Sequence, residues 1–328
     1  MNIILDAMGG DHAPYEIIQG AVQALEEFDV TITLVGIESR IRAELSHQDY
    51  PKDRIEIVHA PDIIGMHDSA VISLRKKKNS SISVGIRLLK ESEKYDAFIS
   101  AGNTGAVVSA STVYLRMLPG VERPAIGLVL PTLKKFSFLI DVGANIDPKP
   151  KHLLHSALMA NVYAQKVLNI TNPRIGLLNI GAEETKGSDF MKETHKLFSE
   201  NLPNFSGNVE ANEIYKGEYD CIITDGYTGN IVIKISESLM EAAGSLIKRE
   251  VRKVPLAMWG AFLMKTRLSH IKKHADYSEY GGAPLLGVNG LVMISHGRSN
   301  AKAIKNAIRA TIHEVENNII SELIREVN

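Results

Sequence analysis

The chain has one cysteine, Cys221, which excludes a disulfide framework and points to a reducing compartment. That residue sits in the apolar run YDCIITDG, where a thiol reads as core filler rather than nucleophile. No cysteine–histidine set has zinc-ligand spacing, and no metal is expected. No stretch reads as long and apolar enough to cross a bilayer: the oily run Val254 to Met264 has 11 residues where about 20 are needed. The chain enters NIILDAMGG without a charged leader and long apolar segment, so no signal peptide is expected. Low-complexity linkers and tandem repeats are missing as well, and residues 1–328 read as one domain. A net charge of -1 carries no nucleic-acid signature.

The charge is unevenly spread. Between Ser245 and His274 eight Lys/Arg face one acid, Glu250, which makes that segment +7 and the remainder -8. Such asymmetry implies an anionic partner for one face.

What the chain does have is a recurring pattern. A short apolar run ends in a polar residue, a glycine-containing loop follows, and a helical pattern begins. NIILDAMGGDHAP leads into 15–28, YDAFISAGNTGA into 107–117, FSFLIDVGANIDPKP into 151–168, RIGLLNIGAEETKG into 188–201, and YDCIITDGYTGN into 231–253. TITLVG and RIEIVHA supply further strands. Continuous apolar strands alternating with helices predict an α/β fold, a mostly parallel sheet with helices on both faces. Ligands of such sheets bind beyond the carboxyl ends of the strands, and five polar-glycine loops there argue for one lined cleft.

The last third differs. Ile231, Ile235, Leu239, Ala242, Ala243, Leu246 and Ile247 recur at helical spacing. A second stripe, Ile304, Ile308, Ile312, Val315, Ile319, Ile320 and Leu323, predicts one long helix over 301–327. Both are candidates for a helical dimer interface, against packing within the monomer. The helical and hydrophobic extension covers about 231–275.

SAGNTGA is the strongest phosphate candidate. Gly102 and Gly105 let a ligand approach the backbone, a helix beginning near Thr104 aims its N–H groups at the loop, and Ser100, Asn103 and Thr104 add donors. It lacks a Walker lysine and does not fit G-x-G-x-x-G, so neither a nucleoside triphosphate nor a dinucleotide gains support. DAMGGDHAP places Asp6, Asp11 and His12 together, as a metal site, an acid/base pair or a structural network, with Asp11 or His12 able to cap the helix entered at Pro14. NIGAEETKG gathers Asn179, Glu183, Glu184 and Lys186; the lysine can hold an oxyanion as a point charge, or be solvated. DGYTGN offers Asp225, Thr228 and Asn230 ahead of a long helix. His296 ends a glycine-rich run and reads as structural or functional. RKKKNSS, with Arg75 to Lys78, is a solvated basic patch or a docking surface for an acidic partner.

Taken together, DAMGGDHAP, SAGNTGA, RPAI, DVGAN, LLNIG with its downstream KG, DGYTGN and EYGGAPLLGVNG…HG resemble the phosphate acyltransferase family of bacterial phospholipid synthesis, the PlsX type. The motifs run in the family's order from Asp6 to Gly297. The resemblance implies transfer of a long-chain acyl group from acyl carrier protein to inorganic phosphate. It also implies a fold similar to phosphotransacetylases and isopropylmalate-type dehydrogenases, homodimers, no organic cofactor, and a cytoplasmic protein peripherally bound to the membrane. On this expectation phosphate sits on Gly102 to Gly105. Lys186 and Asn230 stabilise the oxyanion, His12 and His296 are secondary candidates, and Asp6, Ser100, Asn145, Asn179, Asp225, Thr228 and Gly229 join the binding set. The oily run then offers Leu256, Met258, Trp259, Phe262 and Leu263 for shallow insertion into anionic lipid, and the basic residues Lys248 to Lys273, or Arg75 to Lys78, for docking the acidic carrier. Two alternatives stay open on the residues alone: an NAD-linked decarboxylating dehydrogenase, and a non-catalytic lipid- or carrier-binding module.

Overall fold

The computed structural model describes residues 1–264, Arg267 and 281–327. Its centre is a single eleven-stranded sheet ordered β3-β2-β1-β4-β11-β10-β5-β6-β9-β7-β8. The strands are β1 (Asn2–Asp6), β2 (Thr31–Gly36), β3 (Ile55–His59), β4 (Ala97–Ser100), β5 (Ala125–Pro131), β6 (Phe136–Ile140), β7 (Ile175–Leu178), β8 (Phe205–Val209), β9 (Cys221–Ile223), β10 (Ala283–Leu286) and β11 (Leu291–Ile294). Only the three pairings β11–β10, β10–β5 and β5–β6 are antiparallel; the other seven are parallel. Three reversals make β6, β9, β7 and β8 run opposite to β3, β2, β1, β4 and β11.

The helices are α1 (Tyr15–Glu27), α2 (Glu38–Leu45), α3 (Ala70–Lys76), α4 (Ser81–Glu91), α5 (Thr104–Tyr114), α6 (Pro150–Lys166), α7 (Asp189–Asn201), α8 (Gly226–Arg252), α9 (Pro255–Leu263), α10 (Ala301–Glu316) and α11 (Ile319–Val327). Strand alternation sorts the core between the two faces. Ile3 and Leu5 pack with Ile17, Ile18, Ile304 and Ile308 under α1 and α10. Ile4 points the other way, to Ile82, Ile86, Phe98 and Val107 under α4 and α5. In the second half Phe138, Ile140 and Ile223 pack against α6 and α11, and Leu139 and Ile222 face the start of α8. Cys221 is fully buried in this core, where burial raises the pKa of its thiol.

The expected long helix over 301–327 is two helices. Asn318 takes a left-handed conformation at φ 49°, and Asn317 closes α10 by donating from its N–H to the His313 carbonyl. Asparagine tolerates that conformation better than most residues. The break lets Ile304 and Ile308 serve one half of the core and Ile319 and Leu323 the other, so this stripe is spent within the chain.

The α8 stripe behaves in the opposite way. Only Gly226 and Gly229 of α8 are buried, and α9 buries no residue. Leu239 is 65% exposed, Leu256 80% and Trp259 69%. Among the described residues no helix is long and apolar enough to cross a membrane.

Candidate functional site

All five polar-glycine loops follow the carboxyl ends of strands, β1, β4, β6, β7 and β9. Because the strand direction reverses three times, at β10, β5 and β6, they form two sets.

The first set joins β1 and β4, which are parallel neighbours. Asp6 is fully buried. Its carboxylate accepts from the Ser100 hydroxyl at 2.7 Å and the Met8 N–H at 3.1 Å, and Ser100 Oγ accepts the Gly102 N–H at 3.0 Å. Burial raises the Asp6 pKa against the hydroxyl bonds that lower it. A Cβ at Gly9 would lie 2.5 Å from Asp6 Oδ2 and 2.6 Å from Gly102 N, so only glycine lets the two loops meet. Asp6 and Ser100 are thus occupied in fastening the loops to each other.

Asn103 caps α5. Its Oδ1 accepts the Ala106 N–H at 3.0 Å, and its Nδ2 donates to the carbonyls of Gly65, Met66 and Asp68. Its amide is therefore committed to the 65–68 loop. What α5 presents outward is Thr104 and Gly105, both exposed, whose N–H groups belong to the first turn and have no helical partner. A helix start of this kind has the N–H donors and the positive dipole end that suit an anion.

The second set is organised by Asp141, directly after β6. Its buried carboxylate accepts the N–H groups of Ile126, Gly143, Ala144 and Asn145 and the Asn145 side-chain amide. Burial is the largest influence on its pKa and raises it. Asn145 is tied further: its Nδ2 donates to the Pro124 carbonyl at 2.6 Å and its own carbonyl accepts the Gly226 N–H at 2.7 Å. Asp225 caps α8, accepting from the Thr228 N–H at 2.8 Å and the Thr228 hydroxyl at 2.7 Å. A Cβ at Gly229 would stand 2.0 Å from the Asp141 carbonyl oxygen, which sets how closely α8 presses on the loop. Asn230 follows directly, partly exposed.

Asn179 closes the loop that carries Lys186, donating to the Lys186 carbonyl at 3.2 Å and accepting the Ile180 N–H at 2.8 Å. Lys186 itself is exposed. No hydrogen bond among the described residues joins it to Asn230 or to the Ser100–Gly105 loop. The two sets meet instead through packing: Val142 and Ala144 lie against the core under α5.

His12 and His296 are both exposed at one corner, where the Asp11 N–H donates to the Gly297 carbonyl at 2.8 Å. His296 Nδ1 accepts the Arg298 N–H at 3.1 Å. Neither Asp11 nor His12 caps α1: Pro14 holds the N-cap position, and no side chain bonds there. Among the described residues no group of three His, Cys, Asp or Glu side chains could hold a metal. Lys248, Arg249, Arg252 and Lys253 end α8 on its exposed surface, while Lys265, Lys272 and Lys273 of the same basic segment lie outside the described residues.

Asp141 is the residue that sequence reasoning passed over. The signal was there: an aspartate ends an apolar run and stands four residues before the singled-out Asn145, in DVGAN.

Comparison with known proteins gives these loops a context. The family described as "Fatty acid synthesis protein" matches residues 1–322. The phosphate acyltransferase of Alkaliphilus oremlandii is 46% identical over 328 residues, covering 100% of this chain and 98% of that protein. That of Desulfitobacterium hafniense is 47% identical with the same coverage. Among solved structures, a phosphotransacetylase from Streptococcus pyogenes matches with a TM-score of 0.64 at 16% identity, covering 96% of this chain and 94% of that one. The EutD phosphotransacetylase of Staphylococcus aureus gives 0.62, also at 16% identity, with 97% and 94% covered. These structures show a shared fold, as the family resemblance implied. The full-length relatives set aside the dehydrogenase and the non-catalytic module. The chain belongs to the fatty acid synthesis protein family, that of the PlsX-type phosphate acyltransferases, and is an enzyme of that class.

Proposed function

We propose that the enzyme transfers a long-chain acyl group from acyl carrier protein to inorganic phosphate, and that the acyl phosphate serves membrane phospholipid synthesis. The observation that carries this is the start of α5, where Asn103 and the buried Asp6–Ser100 pair hold Thr104 and Gly105 outward with first-turn N–H groups unspent. A large share of inorganic phosphate is already dianionic near neutral pH, so it needs positioning more than deprotonation.

A phosphate oxygen attacks the thioester carbonyl, an oxyanion forms on the carbonyl oxygen, and the carbon–sulfur bond breaks to release the carrier thiolate. Fixed donors at the oxyanion are the largest help such a reaction can receive. Lys186, exposed and cationic, and Asn230, just past the first turn of α8, are assigned that role. His12 or His296 protonates the departing sulfur, which is a good leaving group and needs little assistance. Asn145, Asn179, Asp225, Thr228 and Gly229 keep these groups in place. No organic cofactor is required.

The uncovered apolar face of α8 and α9 supports two further parts of the reading. A second copy packs along Ile235, Leu239 and Ile247, giving a homodimer, and the tip bearing Leu256, Met258, Trp259, Phe262 and Leu263 enters the surface of an anionic bilayer. Each large apolar side chain fully buried contributes about 1.5–3 kcal/mol and each nearby Lys or Arg about 1 kcal/mol, enough for reversible attachment of a cytoplasmic enzyme. The acidic carrier docks on Arg75 to Lys78 or on the basic end of α8.

The test is the dependence of thiol release on phosphate. With palmitoyl-acyl carrier protein, free carrier thiol should appear only when phosphate is present. Release without it would make the enzyme a thioesterase and remove phosphate as the acceptor.

A further inference from the structure

A groove of about 640 Å³ runs between α3 and α5 and ends at the Asp141 loop. This lies within the usual range for a ligand site. Val71 and Leu74 form one wall, Val108, Thr112 and Val113 the other, and Ala144 and Asn145 the inner end. Arg75, Lys78 and Arg123 stand on its lip.

The lip is electrostatically uncompensated. The one acid among the described lining residues, Glu122, is already engaged by Lys151 at 2.7 Å and by His152 at 3.1 Å, and these bonds lower its pKa. Lys77, next to Lys78, is matched by Asp68 at 2.7 Å. Among the described residues Arg75, Lys78 and Arg123 have neither an ion pair nor a side-chain hydrogen bond. An apolar trough with three unspent cations at its mouth suits an elongated, largely apolar ligand that carries one anionic group.

The inner end adds direction. Asn145 binds the N-terminus of α8 through its carbonyl, and Asn230 follows the first turn of that helix. A chain lying in the groove would bring its far end to the second loop set.

We propose that the groove receives the phosphopantetheine arm of the acyl donor, with the phosphodiester at Arg123 and Lys78 and the thioester delivered past Asn145. This rests on the carrier protein being the donor. An acyl chain alone would leave the cations unused. A second copy docking by the end of α8 would bring Lys248, Arg249, Arg252 and Lys253 against a lip that is already positive.

Fluorescence anisotropy with two forms of the carrier tests the assignment: the apo form, which lacks the arm, and the holo form, which has it. The parent enzyme should bind the holo form at least ten-fold tighter. Val113→Trp, at a site 60% exposed to solvent, should bring that ratio near one while leaving apo binding unchanged. Arg123→Gln should lower it several-fold, and Val71→Trp repeats the block from the other wall. An unchanged ratio in both tryptophan variants, or a parent that does not distinguish the two forms, overturns the groove. So does a shift to monomer in sedimentation caused by Val113→Trp, since the groove would then be an interface between copies. Turnover of acyl carrier by the parent is run alongside. A parent that transfers acyl groups while the ratio stays unchanged loses only the groove, whereas a parent that neither binds nor turns over the carrier loses the donor as well.

Discussion

Asn145 is held by Asp141 twice: its backbone N–H donates to Asp141 Oδ2 at 2.7 Å and its side-chain amide to the same oxygen at 2.9 Å. One carboxylate thereby fixes a loop that also anchors β5 through Ile126 and α8 through Gly226. Asp141→Ala would strand several donors in a buried place, each costing about 1–3 kcal/mol when left unmade. The variant should lose at least about 3 kcal/mol of unfolding free energy in a urea titration. A loss below about 1 kcal/mol would show that the loop does not depend on this residue.

Glu314 is buried and accepts the Tyr163 hydroxyl at 2.7 Å, and burial raises its pKa from 4.5 to about 8. The folded state holds this proton to about pH 8, whereas the unfolded chain releases it near 4.5. The folded state therefore binds more protons in between, and stability falls as pH rises through that window. Glu314→Gln should remove the slope and leave the variant more stable at pH 8 by about 2–4 kcal/mol. Parallel pH profiles of parent and variant would refute this.

Lys186 is exposed on a loop whose closure depends on its carbonyl, not its ammonium. Lys186→Ala should thus fold normally and lose about 10²–10³-fold in kcat, the usual effect of removing one oxyanion donor. Retention of most of the turnover would take Lys186 out of the reaction.

Leu256 and Phe262 are 80% and 66% exposed on α9. A Leu256→Glu, Phe262→Glu double variant should lose binding to vesicles that contain anionic lipid, as judged by flotation, with turnover of soluble acyl carrier largely kept. Equal flotation would assign this helix to protein contacts instead.

Much of this architecture was legible in the chain. Apolar runs at Asn2–Asp6, Ala97–Ser100 and Cys221–Ile223, each followed by glycine and a helical pattern, announced strands and the loops beyond them. The order of the strands was not. β10 and β11 enter the middle of the sheet from the far end of the chain, and such long-range pairing leaves no local periodicity. Nor did spacing distinguish the two late apolar stripes: α10 and α11 spend theirs in the core, and α8 keeps its stripe outside. Asp6, Ser100 and Asn103 looked like ligand contacts because loop donors and structural caps use the same residue types. Burial and bonding place them in the framework, and leave Thr104 and Gly105 facing outward.

The most direct measurement of the central claim follows oxygen. Phosphate labelled with ¹⁸O at all four positions is supplied with palmitoyl-acyl carrier protein, and the products are weighed by mass spectrometry. If a phosphate oxygen attacks the thioester, acyl phosphate appears with all four labelled oxygens and an unlabelled carbonyl, one equivalent for each carrier thiol released. Unlabelled fatty acid accompanying the thiol, with no acyl phosphate formed when hydrolysis is prevented, would contradict acyl transfer to phosphate.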